Sequence, residues 1–234
     1  MNRKLLGGVS AALVAAMAAI AIAAAMNLPD DVRLPIHWDL SGRPDNWADK
    51  WTALLMPAGM TAALSLLFWF LPSLEPRTRN LSRSQALYLW GWVALLLLGI
   101  VIQVATLSTA FDWGLPTHRL IIGACGLMFL IIGNLLAKSR RMYMIGVRTP
   151  WTLASEEVWV RTHRLAGKLM VLAGLITFIA AFLPLPPEWL AMLLLVSIAV
   201  AAVIPVVYSY LLWRRERKSL CEGDAVVAGD QSSE

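Results

Sequence analysis

Six long apolar runs alternate with short polar segments along the chain, at residues 5–26, 51–71, 85–107, 117–136, 165–183 and 189–213. Each is near the roughly 20 residues that a helix needs to cross a hydrocarbon layer about 30 Å thick. None shows the one-sided stripe of a surface helix on a soluble domain; they are apolar all round, as helices facing lipid must be. The pattern predicts an all-α integral membrane protein with six transmembrane helices. Pro72 is expected to close the second run, Leu183-Pro184-Leu185-Pro186-Pro187 to break the chain between the fifth and sixth, and Pro205 to kink the sixth. The first run exceeds the about 7–15 residues of a signal-peptide core, which favours a retained anchor; its Ala-rich end keeps cleavage as the alternative.

Two polar segments are richer than connectors require. The first, residues 27–50, has prolines at 29, 35 and 44, so it is not one long helix. Residues 35–38 can be extended, and Ser41-Gly42-Arg43-Pro44 should reverse the chain. His37 with Asp39, Asp45 and Asp49 offers a metal-type set. The competing reading, a turn in which Asp and Asn side chains hold backbone amides, is favoured, and no metal is expected. The Trp38, Trp47 and Trp51 rings suit the head-group layer.

The second segment runs from Tyr143-Met144-Ile145-Gly146-Val147-Arg148-Thr149-Pro150-Trp151-Thr152 through His163-Arg164. Gly146 permits a turn that other residues resist, and Pro150 keeps Thr149 out of the helical region. Thr152 or Ser155 can cap a new helix with Glu156 and Glu157 at its positive end. On that helix Glu157, Arg161, Arg164 and Lys168 share one face, a basic stripe suited to lipid head groups. Trp159 and His163 lie on another and are expected to pack into the bundle. Arg148, on a constrained non-helical backbone, is placed to make a forked contact with a carboxylate or phosphate. Trp151 is read as an interfacial anchor. A simple latch between the fourth and fifth helices would also account for the segment.

Composition removes several classes. The 234 residues are 59% hydrophobic and 15% charged, where a soluble domain carries roughly 25% charged residues. Sixteen of the 20 Lys and Arg fall in segments 3–4, 77–83, 138–168 and 214–218; only Arg33, Arg43, Lys50 and Arg119 fall in the alternate segments. The positive-inside rule then places both termini, and the Arg148 segment, in the cytoplasm, with residues 37–50 outside. Basic residues so dispersed are topological signals, and no direct nucleic-acid contact is expected. Cys125 and Cys221 form neither a disulfide nor a zinc pair. The three histidines fall on opposite sides and no HExxH pair exists, so neither an enzyme nor a cofactor is expected. Gln103 and Asn134 are the main polar groups within the runs; they are expected to bond neighbouring helices, with a small-molecule or lipid transporter as the alternative reading. Gly123, Gly126 and Gly133 would allow close helix approach, and the last dozen residues, small and acidic, are expected to be disordered.

The two polar segments also resemble known signatures. Leu34-Pro35-Ile36-His37-Trp38-Asp39-Leu40-Ser41-Gly42-Arg43-Pro44-Asp45, ending in Lys50, is similar to the DUF1648 pattern. Ile145-Gly146-Val147-Arg148-Thr149-Pro150-Trp151-Thr152-Leu153, then Trp159, Thr162-His163-Arg164 and Gly167, resembles the signature of the SdpI-type immunity proteins. Met142 stands where that family usually carries Asn. The resemblance implies a DUF1648-like part at residues 1–72, an SdpI-like part at 73–213 and a cytoplasmic tail at 214–234. It further implies a multi-pass protein of the bacterial cytoplasmic membrane. Such a protein would guard the cell against a secreted peptide toxin and hold a soluble transcriptional repressor at the membrane. Its candidate outer-loop binding residues are Pro35, His37, Trp38, Asp39, Gly42, Asp45 and Lys50. Its candidate cytoplasmic residues are Gly146, Arg148, Thr149, Pro150, Trp151, Thr152, Trp159, His163 and Arg164.

Overall fold

A computed structural model describes residues 2–231, with side chains described as far as residue 219. Helix α1 (Arg3–Met26) leads into a hairpin of β1 (Arg33–Trp38) and β2 (Pro44–Asp49). Next come α2 (Lys50–Leu74), the short α3 (Thr78–Arg83), α4 (Gln85–Ala110) and α5 (Thr117–Leu136), then α6 (Pro150–Ala154), α7 (Glu156–Ala180) and α8 (Pro187–Gln231). Among the described residues six helices are long and apolar enough to cross a membrane: α1, α2, α4, α5, α7 and the 187–219 part of α8. They pack serially, α1 on α2, α2 on α4, α4 on α5, α5 on α7 and α7 on α8. The hairpin lies at one end of the bundle and the 137–155 segment at the other. Of the last dozen residues, expected to be disordered, 223–231 instead continue α8, and 232–234 lie outside the described residues.

Pro72 does not close the second helix. α2 continues to Leu74 with Pro57 and Pro72 inside it. A proline at 72 removes the amide that would bond the Phe68 carbonyl, and the Tyr88 hydroxyl of α4 donates to that carbonyl instead, at 2.8 Å. α8 likewise runs through Pro205, which is fully buried. The fifth apolar run begins earlier than its hydropathy suggests: α7 is a single helix from Glu156, capped by the Ser155 hydroxyl on the Val158 amide.

The closest backbone approach is between α5 and α7. A methyl group on Gly126 would lie 2.6 Å from the Phe178 amide nitrogen and 2.9 Å from the Gly174 carbonyl oxygen. One on Gly133 would lie 2.9 Å from the Gly167 carbonyl oxygen. A methyl group on Gly167 or Gly174 would in return lie 2.6 Å from the Gly133 or Gly126 carbonyl oxygen. The expected role of Gly126 and Gly133 holds, while Gly167 and Gly174 complete two antiparallel pairs, a packing that lets van der Waals contact hold helices together where lipid offers no hydrophobic drive. Gly133→Leu should therefore push α5 from α7 at a cost of about 1–3 kcal/mol or more, read as a lower apparent unfolding midpoint in detergent. Gly8→Ala, with nothing within 4 Å of the added methyl, serves as the unaffected control.

Gln103 and Asn134, the main polar groups of the apolar runs, differ in placement. Gln103 is buried and its amide donates to the Leu54 carbonyl of α2 at 3.2 Å. Asn134 is exposed on α5. Arg119, at the start of α5, donates to the carbonyls of Ala181, Leu183 and Leu185, the end of α7 and the turn after it; a cation there also complements the helix dipole.

Candidate functional site

At the hairpin end, the turn is built as its residues dictate. Asp39 Oδ1 accepts the Ser41 amide (2.9 Å), the Ser41 hydroxyl (2.7 Å) and the Arg43 amide (2.9 Å), and Gly42 takes the left-handed φ of 74°. The Ser41 hydroxyl and the Arg43 amide hold the Asp39 carboxyl below the usual carboxylate range. His37 Nδ1 lies 2.6 Å from Asp45 Oδ1 across the strands. Among the described residues no set of three His, Cys, Asp or Glu side chains gathers as a metal would require. Pro35 is buried and Trp38 half-buried. Lys50 is buried: its ammonium donates to the Leu28 carbonyl (2.6 Å) and Asp30 (2.8 Å), and so ties the hairpin base to the loop after α1. Asp49 caps α2 through the Trp51 and Thr52 amides.

At the opposite end, residues 138–149 form no regular element, so their backbone groups need side-chain partners. The partners come from α3, α6 and α7 and from the caps at Glu75 and Ser84. Ser84 accepts the Arg140 amide at 2.9 Å, and Asn80 donates to the Arg141 carbonyl at 2.6 Å. Glu75 is only 2% exposed; its Oε2 accepts both the Tyr143 and Met144 amides at 2.8 Å, and its Oε1 the Arg77 amide at 3.0 Å. Arg77 lies over the Tyr143 ring, 4.5 Å from its centroid. Met142 is fully buried, packed with Trp92 and Trp159. Where relatives are expected to carry Asn, this chain has an apolar plug, and Asn80 supplies an amide from α3.

Gly146, Val147, Trp159 and His163 come together as one unit. Gly146 has φ 115°, and a side chain there would collide with His163 and lie 3.1 Å from the Trp159 ring. The Trp159 and His163 rings stack at 3.9 Å, both fully buried. His163 Nδ1 lies 2.8 Å from the Trp159 carbonyl and Nε2 2.9 Å from the Val147 amide. This fixes the neutral tautomer: Nδ1–H donates to the carbonyl and Nε2 accepts the amide. Trp159 Nε1 donates to the Ser139 carbonyl at 3.2 Å. The residue is a clamp on the loop.

The helix start that follows is equally determined. Thr149 and Thr152 form a reciprocal capping box on α6, with exposed Pro150 at its first position. Thr152 also donates to the Val147 carbonyl at 2.8 Å. Trp151 donates through its indole to Ser209 of α8 and meets Tyr210 edge-on at 5.3 Å, so it is bound to the bundle. Arg141 donates to the Leu153 and Ala154 carbonyls and pairs with Glu156 at 3.4 Å; the Ser155 hydroxyl donates to Glu216 of α8 at 2.9 Å. Arg148 is exposed, with one Nη1 bond to the Tyr143 carbonyl at 2.7 Å. Among the described residues it forms no ion pair. Arg161 pairs with Glu157, while Arg164 and Lys168 are exposed on the same face. Sequence reasoning missed Glu75, Asn80, Ser84, Ser209 and Glu216; a single acid beside three arginines in a short connector was the only trace Glu75 left.

Both ends fall within regions that comparison with known proteins picks out. The family model described as the SdpI/YfhL protein family matches residues 138–209. A second model, a domain of unknown function (DUF1648), matches residues 12–61. The chain is 26% identical over 189 residues to the immunity protein SdpI of Bacillus subtilis (strain 168), covering 80% of this chain and 86% of that protein. No solved structure matches. The chain thus carries an SdpI/YfhL region and a DUF1648 region, and is a multi-pass protein of a bacterial cell membrane.

Proposed function

We propose that this chain, an SdpI-like membrane protein with its hairpin and its 137–155 segment at opposite ends of one bundle, is an immunity protein that protects its cell from a secreted peptide toxin. The single observation that carries the reading is the similarity to an immunity protein over four-fifths of the chain. In this reading the hairpin faces outward and meets the toxin. The Arg148 surface faces the cytoplasm, where sixteen of 20 basic residues would lie, and holds a soluble partner, the repressor that the resemblance implies. Helix α2 joins the two: Asp49 and Lys50 secure the hairpin at its start, and Glu75 secures the 143–144 segment just past its end. No reaction is assigned to it. A transport path is not favoured, because buried Gln103 is bonded to α2 while Asn134 faces outward on another helix.

Arg148 is the one charged side chain of the 143–152 stretch, and it is exposed. Arg148→Ala should abolish recovery of a soluble partner in the membrane fraction while the protein still inserts. Unchanged recovery would remove the docking role and leave the loop as a latch alone.

A further inference from the structure

We propose that the groove between the hairpin tip, the start of α5 and the start of α8 is the seat of the toxin, and that it selects a cationic amphipathic peptide. The proposal rests on the immunity reading and names the chemistry of the peptide that reading requires. The groove has a volume of about 410 Å³, within the range of ligand sites and enough for a few apolar side chains of a larger partner. Its roof is the hairpin tip, where Gly42 packs so closely on Pro187 that a methyl group would lie 2.9 Å from the proline Cβ. Ile122, Ala191 and Leu195 line its apolar depth, and His37, Asp39 and His118 line its polar part.

Charge decides what kind of peptide fits. The hairpin end carries seven acids (Asp30, Asp31, Asp39, Asp45, Asp49, Asp112 and Glu188) and four bases, Arg33, Arg43, Lys50 and Arg119, a net of −3. Two of the bases face inward: buried Lys50 is bonded to Leu28 and Asp30, and Arg119 to three carbonyls. Asp39 lines the groove, Asp45 is bonded to its lining residue His37, and Glu188 follows its lining residue Pro187; these three acids are exposed, as is Arg43. The opposite end of the bundle is strongly basic. An anionic head group or acidic peptide is therefore repelled at this mouth, whereas a cationic one is drawn to it, and its apolar face finds the depth beside Ala191 and Leu195. A peptide that reaches membranes through such an amphipathic face is captured at the point where it enters the bilayer.

The test uses the full chain in nanodiscs of neutral phosphatidylcholine. The probes are two synthetic helical peptides of about 18 residues, five turns, which share a leucine face bearing one benzophenone side chain. One has a lysine polar face, the other a glutamate polar face. The lysine peptide should cross-link to residues 36–42 and 191–195 about tenfold more than the glutamate peptide, and Ala191→Trp should lower that labelling about tenfold. Protected amides at Tyr143 and Met144 in the variant report that the distant end remains folded. Asp45→Asn with Glu188→Gln should lower labelling without filling the groove. Equal labelling by both peptides, labelling unaffected by Ala191→Trp, or phospholipid retained in the groove against the lysine peptide would overturn the proposal. Survival under toxin challenge separates the two readings. Equal protection by wild type and Ala191→Trp removes the groove and keeps immunity; selective labelling without any protection removes immunity and keeps the groove.

Discussion

Replacing Glu75 with alanine should release the cytoplasmic loop from α2. The substitution leaves three part-buried amides, those of Arg77, Tyr143 and Met144, without their acceptor. A fully buried donor left unmet costs about 1–3 kcal/mol, an upper bound for each of these, and water entering to satisfy them would open the segment beside Met142. Hydrogen exchange of the full chain in nanodiscs should show the Tyr143 and Met144 amides losing most of their protection, with the hairpin amides unchanged. Glu75→Gln keeps one carbonyl acceptor and should lose less. Unchanged protection in Glu75→Ala would mean that the buried Met142 alone holds the loop. Because α2 carries the hairpin at its other end, the same variant should also weaken any response of the cytoplasmic surface to an outside ligand.

Removing the Trp159 ring should destabilise the same end of the bundle through lost packing. It is fully buried, stacks on His163 and donates to the Ser139 carbonyl. Truncation of a buried Trp to Ala costs about 3–5 kcal/mol, so Trp159→Ala should lower the apparent unfolding midpoint sharply. It should also free His163, whose Nε2 would then hold Val147 less firmly. Trp159→Phe retains the stacking ring and forfeits the indole bond, a loss of about 1 kcal/mol. If the two variants unfold alike, the hydrogen bond rather than the packing would be the main contribution.

The contrast between these residues explains what could be read from the chain. Trp159 and His163 were legible because helical spacing alone puts them on one face, opposite Arg161 and Lys168. The Ser155 cap of α7, the Gly146 turn and the Asp39–Gly42 reversal were legible for the same reason: their partners lie within a few residues. Thr149, which caps α6, was not read as a cap. The six spans followed from length and hydropathy. That residues 44–49 pair with 33–38 in an antiparallel hairpin went further than the extended reading of 35–38, since pairing depends on register as well as extension. Glu75 illustrates what was not legible. Its partners lie 68 and 69 residues away, and nothing local distinguishes it from a solvated acid near Arg77. Pro72 misled for a related reason, because the hydroxyl that compensates its missing amide belongs to Tyr88 on another helix. Lys50, suited by its charge to meeting a ligand, is turned inward to Leu28 and Asp30, a choice set by the loop after α1 and not by its neighbours in sequence.

Survival of a toxin-sensitive bacterium tests the central claim most directly. Cells carrying the wild-type chain, Arg148→Ala or an empty vector are challenged with the secreted peptide fraction of the source organism, with membrane levels of each protein matched. The account predicts that wild type and Arg148→Ala both survive where the empty vector dies, and that only wild type brings a soluble partner into the membrane fraction. Death of the wild-type cells at the same dose as the empty vector, with the protein present in the membrane, would contradict it.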